Sequence, residues 1–212
     1  MSSKKTVTKR DHALIAVSTF NSYFSIKNME ILFRWSYENF NDFNIFIMDE
    51  VSFFNLMALG YDEKKAFDKT KKHDRNLINK VIKSLTNIGL DLESSKKKIL
   101  LLSQLSKNDC YLEAYNRYVH IFETNVSFRN DCLGATKSML SEKMENLNDK
   151  VIQLSVKYLL AELPVWFEIP YILGLPSSVL VYKNLSFFWK RICYNYNFLS
   201  PQQEIMIKCV DE

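Results

Sequence analysis

Tyr158 and Glu162 stand four residues apart, so a helix would set a phenol and a carboxylate on one face. Their neighbours Leu154, Val156, Leu159, Leu160, Leu163, Trp166 and Phe167 are apolar. A carboxylate in such company is costly unless it is paired or used; its pKa rises, or it holds a cation such as an amine. The same spacing would also suit a Glu on the solvated face of an amphipathic helix. Ser18 is the second group with a chemical use. A serine can attack a carbonyl when it has an activator, a site for the developing oxyanion and a leaving group. A serine in a turn is also an ordinary helix N-cap.

Other chemistries find little support. His12, His73 and His120 lie in no serine-hydrolase motif, and GxSxG is absent. There is no HxxxH, no HExxH and no close Cys pair, so no metal site is expected. Only four Gly occur, and neither GxGxxG nor GxxxxGK[ST] is present, so no phosphate-cradling loop is expected.

The elements that must position these groups follow from apolar patterning. His12 to Val17 (HALIAV) reads as a buried strand, and Ser18 to Ser25 as a turn. Ile26 to Phe40 has helical spacing, and Asn44 to Met48 reads as a second buried strand ending at Asp49. Helices are predicted over Glu63–Ile88, Asp109–Phe122, Cys132–Met144, Lys150–Leu163 (broken near Pro164) and Phe187–Asn195. Ile99 to Leu102 and Ser178 to Tyr182 complete four strands. Short uncharged strands alternating with helices argue for an α/β fold with a mainly parallel sheet. Ligands bind beyond the carboxyl ends of such strands, which puts Ser18, Asp49 and Tyr182 on one rim.

The 212 residues suit one domain, expected over 12–212 behind a loose basic tail at 1–11. With 47% apolar and 25% charged residues the composition is that of a globular protein. The four Cys are scattered, which suits free thiols in a reducing compartment. No apolar core follows the first ten residues and no stretch is long enough to span a bilayer, so a cytoplasmic setting without membrane contact is expected.

The net charge of +4 is concentrated. Lys64 to Lys83 holds eight basic residues and two acids, a local balance of +6. Lys65, Lys69, Lys72, Lys80 and Lys83 fall on one helical face, and Lys64, Lys71 and Arg75 broaden it. Phe67, Ile78, Val81 and Leu85 are expected on the inward face. Such a stripe attracts a polyanion by displacing its counterions, though a solvated Lys-rich face has the same pattern.

The segment Ala16-Val17-Ser18-Thr19-Phe20-Asn21-Ser22-Tyr23-Phe24-Ser25 resembles the G-[VI]-S-P-F-N-S-[YF]-[YF]-S segment of tRNA-dependent cyclodipeptide synthases. Tyr158-xxx-Glu162-x-Pro164 is similar to that family's second motif, and Tyr182 to its third marked position. Lys64 to Lys83 corresponds to its basic helix. The resemblance implies a single Rossmann-like domain similar to the catalytic domain of class I tyrosyl- and tryptophanyl-tRNA synthetases. The HIGH and KMSKS signatures are missing, as suits an enzyme that receives amino acids already activated.

The implied reaction joins two aminoacyl-tRNAs into a 2,5-diketopiperazine through aminoacyl- and dipeptidyl-enzyme intermediates on Ser18, with no cofactor, no metal and a monomer favoured. By resemblance, Tyr158 and Glu162 bind the α-ammonium and Glu162 is the base. Asn21 contacts the aminoacyl backbone, and Tyr182 orients the ester or relays a proton. Leu14, Ala16, Phe46 and Leu180 are expected to form an apolar first pocket. The chain departs from the family pattern at Ala16 (usually Gly), Thr19 (often Pro) and Lys183 (Gln or Pro). A non-catalytic RNA-binding module that keeps the fold and an ordinary serine acyl-hydrolase are the rival readings.

Overall fold

The computed structural model describes residues 9–18, 21–50, 52–141, 147–183 and 187–208. Strand β1 (Arg10–Val17) leads to helix α1 (Ile26–Asn39), β2 (Phe40–Ile47), α2 (Ser52–Ala58) and α3 (Glu63–Asn87). Then come α4 (Leu92–Lys97), β3 (Ile99–Leu101), α5 (Leu102–Leu105), α6 (Asp109–Thr124) and α7 (Val126–Ser141). The chain continues through α8 (Asp149–Phe167), α9 (Ile169–Leu173), β4 (Ser178–Tyr182), α10 (Phe187–Tyr196) and β5 (Gln203–Ile207).

The strands form one parallel sheet in the order β3-β2-β1-β4-β5. The chain winds outward from β1 to β3, then returns to place β4 on the other side of β1. The order reverses between β1 and β4, and a crevice opens beyond their carboxyl ends at such a point.

Alternation along β1 divides the core in two. Ala13, Ile15 and Val17 face one layer with Met29 and Phe33 of α1 and Leu77, Val81 and Leu85 of α3. Leu14 faces the other, where α6, α7, α8 and α10 contribute Tyr118, Phe128, Leu163, Trp166, Phe167 and Trp189. Helices on both faces explain why the inner stretches Ala13–Val17 of β1, 45–47 of β2 and 179–181 of β4 are apolar throughout.

Helix starts follow local capping. Ser25, Asp62, Asp91, Asn108 and Asn148 each accept a backbone N–H from the first turn of the helix they precede. Several expected boundaries move. β1 begins at Arg10, inside the segment expected to be loose, because Arg10 and His12 pair with Phe40 and Asp42. That pairing also starts β2 at Phe40 rather than Asn44. α7 begins at Val126, capped by Asn125, instead of at Cys132; residues 142–146, where it was expected to end, lie outside the described residues, as do 1–8 of the tail. α8 does not break before Pro164 but runs through it to Phe167. Proline inside a helix costs about 3 kcal/mol. Here the last turn keeps Leu163, Val165, Trp166 and Phe167 in the core, which offsets that cost. α2, α4, α5, α9 and the edge strand β5 were not expected; each is seven residues or shorter, too short to establish a period.

His12 is structural. Its Nε2 donates to Asn44 Oδ1 at 3.0 Å, and its Nδ1 accepts from Ser178 Oγ at 2.9 Å. Burial holds its pKa below the usual value, so the ring is neutral. It lies six residues from Ser18 along an extended strand, roughly 20 Å away. Leu14 is fully buried at the sheet centre. We expect Leu14→Ala to lower unfolding free energy by about 2–5 kcal/mol in a urea titration, with an unchanged slope.

Candidate active site

Ser18 lies just past the end of β1, partly buried. The register pairs Ile15 with Val181, so Ala16 is level with Tyr182 and Ser18 stands just beyond. A cavity of about 350 Å³ opens there, lined by Ser18, Asn21, Phe24, His73, Asn76 and Lys80. Thr19 and Phe20 of the Ser18 motif lie outside the described residues. Asn21 Oδ1 accepts from the backbone N–H of Tyr23 at 3.1 Å and from Lys183 Nζ at 3.2 Å. Lys183, the residue that departs from the family pattern, thereby joins the end of β4 to the turn after β1. Its ammonium also lies 5.1 Å from the centre of the Tyr23 ring.

Across the rim, α8 carries Tyr158 and Glu162 one turn apart, both partly buried. Burial pushes the Glu162 carboxyl up to about 8, and the hydrogen bond donated by Tyr158 works against that rise. Tyr158 is raised well above the ordinary phenol value, first by burial and then by the charge of Glu162. Burial and Glu162 also push Tyr182 up to about 12. Tyr111 is raised by burial, then by Tyr115 and Glu162. Its hydroxyl donates to the Ala161 carbonyl at 3.0 Å. Three phenols that stay protonated at neutral pH therefore lie about Glu162: Tyr158 donates to it, while Tyr182 and Tyr111 are close enough for its charge to raise their pKa values.

Tyr182 neighbours both halves of the site. Its ring centre is 6.5 Å from that of Phe24, on the Ser18 cavity, and 5.6 Å from that of Trp166, on α8. Glu162 lines neither the Ser18 cavity nor the larger one on the α8 side, although its neighbour Ala161 lines the latter. Asp49, expected on the same rim, is 6% exposed and accepts from the backbone and hydroxyl of Ser103, which anchors the start of α5.

A second cavity of about 1030 Å³ lies on the α8 side. Phe53, Phe54, Phe67, Tyr111 and Tyr115 give it an aromatic wall, and Ala161, next to Glu162, forms part of its lining. Lys64 and Lys71 of α3 also line it.

The basic residues Lys64, Lys65, Lys69, Lys71, Lys72, Arg75, Lys80 and Lys83 are all exposed on α3. Ala66, Thr70, Asp74, Leu77, Val81, Ser84 and Leu85 form its inner stripe. Phe67 is not part of that stripe. It is 47% exposed and carries Lys71 Nζ 4.2 Å from its ring centre, because it falls beside Lys71 rather than beside Thr70.

The expected first pocket is closed. Leu14 and Leu180 are fully buried and Phe46 is nearly so; all three pack in the core with Trp166, and none lines either cavity. Their alternation on the strands turns them toward α8, whose Leu160–Phe167 segment fills the space. Ala16 alone of the four keeps an exposed edge.

Three residues of the site carried no sequence signal. His73 lines the Ser18 cavity, its pKa lowered by burial and by Lys69 and Lys72. Tyr111 comes beside Glu162 by tertiary packing alone, and Asp74, buried on α3, lines neither cavity but lies close enough for its charge to act on Tyr158. Among the described residues no three His, Cys, Asp or Glu side chains converge as metal ligands, and no helix is long and apolar enough to cross a membrane.

A sequence profile of the family described as cyclodipeptide synthase matches residues 1–204. The cyclo(L-leucyl-L-leucyl) synthase of Staphylococcus haemolyticus is 27% identical over 84% of this chain and 78% of its own. The cyclo(L-leucyl-L-phenylalanyl) synthase of Streptomyces noursei is 27% identical over 81% of this chain and 72% of its own. A crystal structure of a cyclodipeptide synthase from Bacillus thermoamylovorans superposes with a TM-score of 0.83 at 28% identity, covering 95% of this chain and 90% of that one. The Mycobacterium tuberculosis cyclodipeptide synthetase, whose structure is described as related to type I tRNA synthetases, gives 0.79 at 24% identity over 92% and 84%. A switch-point serine and a carboxyl among phenols thus sit in a fold and a sequence matched almost from end to end, and the chain belongs to the cyclodipeptide synthase family.

Proposed function

We propose that this enzyme joins two aminoacyl-tRNAs into a cyclic dipeptide by covalent catalysis on Ser18, with residues 12–212 acting as one catalytic unit. The observation that carries the reading is the Tyr158–Glu162 pair: a desolvated carboxyl among phenols, reached from the serine rim through Tyr182.

Ser18 Oγ attacks the ester carbonyl of the first aminoacyl-tRNA. The carbon–Oγ bond forms, the bond to the ribose oxygen breaks, and the tRNA leaves with the proton. The α-ammonium of the bound residue lies against Tyr158 and Glu162. Glu162 takes a proton from it, the task of a base with a raised pKa. The freed amine attacks the ester of the second aminoacyl-tRNA, giving a dipeptidyl-enzyme and a second free tRNA. The terminal amine then attacks the Ser18 ester, closes the ring and returns the hydroxyl. Asn21, held by Lys183, contacts the aminoacyl backbone, and Tyr182 orients the ester. The esters supply the driving force, so the steps need no cofactor.

The larger cavity suits the second aminoacyl group. Its aromatic wall favours an apolar or aromatic side chain, and Ala161 sets that group beside Glu162. The named products of the relatives, built from leucine, phenylalanine or tyrosine, agree with an apolar substrate class. The cations of α3 flank both cavities, Lys64 and Lys71 at one and Lys80 at the other, and suit two acceptor strands.

His73 in the Ser18 cavity favours a second reading, an ester hydrolase with His73 as base. That reading requires turnover of simple esters without tRNA.

Ser18→Ala should abolish cyclic dipeptide and leave no aminoacyl-enzyme on a denaturing gel with labelled aminoacyl-tRNA, at an unchanged melting temperature. Wild-type turnover in Ser18→Ala would sink the mechanism. The rise of Glu162 to about 8 means its carboxylate form prevails only above that pH, so kcat/KM should climb as pH approaches 8. Glu162→Gln should still form the aminoacyl-enzyme but stall before the dipeptide, as read by mass spectrometry. Replacing Lys69, Lys72 and Lys80 together by Gln should weaken tRNA binding and reduce its log–log salt slope by about 3. An unchanged slope would mark the basic helix as solvated surface only.

A further inference from the structure

Asp74 is a buried acid on the inner face of the basic helix. It is 7% exposed and makes no ion pair among the described residues. Its Oδ2 accepts the backbone N–H of Glu50 at 3.0 Å, whereas its Oδ1 is buried without a hydrogen-bond partner. Glu50 holds a left-handed backbone, with φ of 63°. The turn that Asp74 grips is therefore one that a non-glycine residue adopts only when held.

Its place on α3 is the informative part. Thr70, one turn earlier, lines the large cavity, and Leu77, one turn later, lines the Ser18 cavity. Asp74 stands between them on the same face, and its charge reaches the Tyr158 phenol. We propose that Asp74 is a positioning residue of the acyl-transfer site: it fixes the Asp49–Glu50 turn and supplies the standing negative charge that draws a substrate α-ammonium toward Tyr158 and Glu162. This rests on the acyl-transfer reading of the site.

The chemistry divides between two carboxyls. Glu162, raised to about 8, is largely protonated in the empty site at neutral pH. Asp74 is raised to about 6, chiefly by burial and further by Asp49 and Glu50, while the Glu50 N–H opposes the rise. It is therefore ionised at pH 7 and loses its charge below 6. The groups that face it are Asp49 and Glu50 from the turn and Tyr158 from α8. α2 carries no charged residue, and the cations of α3 are exposed. A charge so placed attracts a cation strongly, because little water or countercharge screens it. Keeping it costs stability: the folded pKa lies above the unfolded value of 3.8, so stability is lost as pH rises through about 6.

The test uses tRNA carrying an amide-linked aminoacyl residue, which binds without reacting, and the same tRNA with that residue N-acetylated. Asp74→Asn should weaken binding of the ammonium-bearing ligand about tenfold and leave the acetylated ligand unchanged. Its melting temperature at pH 7.5 should match or exceed the wild type. In the wild-type enzyme the preference for the ammonium should fade as pH drops through 6, and His73→Gln should show the same fading. Equal weakening of both ligands, or of neither, would overturn the proposal. So would a preference that persists at pH 5 or fades only when His73 is present, and these two outcomes decide the matter even if Asp74→Asn does not fold. Binding as expected with no cyclic dipeptide from the wild type would instead sink the acyl-transfer reading alone.

Discussion

The site depends on one strand being gripped from both sides. β1 pairs in parallel with β2 along its length and with β4 from Ala13 to Ile15, while its side chains are clamped between two helical layers. A strand held this way cannot slip by one residue without turning Ala13, Ile15 and Val17 into the wrong layer. The position of Ser18, next after Val17, follows from that register, and so does its height relative to Tyr182. Small shifts in this frame would separate groups that must meet within hydrogen-bond reach.

Electrostatics supplies the second constraint. Among the described residues no lysine or arginine pairs with Glu162; Tyr158 donates to it, and Tyr182 and Tyr111 lie within reach of its charge. Phenols stabilise a carboxylate through hydrogen bonds without fixing its charge, so the group can take up and give back a proton. The cations are kept away from it, on the outer face of α3, where they meet solvent. One helix thus presents lysines outward and a buried acid inward; under the proposed reaction the two sides would meet different parts of one substrate, phosphates outside and an ammonium within.

Much of this was legible in the sequence. The apolar run ending at Val17, the spacing of Tyr158 and Glu162, and the strand ending at Tyr182 are local signals, and local signals survive folding. The lysines of α3 were legible for the same reason. Phe67 was not, since a helical face is broad and a lysine stem can cover a ring in solvent. The expected apolar pocket misread alternation: Leu14, Phe46 and Leu180 share a face, but α8 already fills it. His73, Tyr111 and Asp74 had no motif to mark them. They join the site because α3 and α6 cross it, a matter of long-range packing. The passage of α8 through Pro164 was likewise decided by the aromatic core and not by local propensity.

The central place of β1 has a consequence for synthesis. Its second neighbour in the sheet pairs from position 13 to position 179, so one edge of the innermost strand stays open until most of the chain exists. At 5–20 residues per second that wait is on the order of ten to thirty seconds. During it, an apolar strand with unpaired amides is exposed on the nascent chain, the condition under which strands join wrong partners. Translation speed and chaperone supply, rather than the stability of the finished fold, should therefore govern how much active protein a cell obtains.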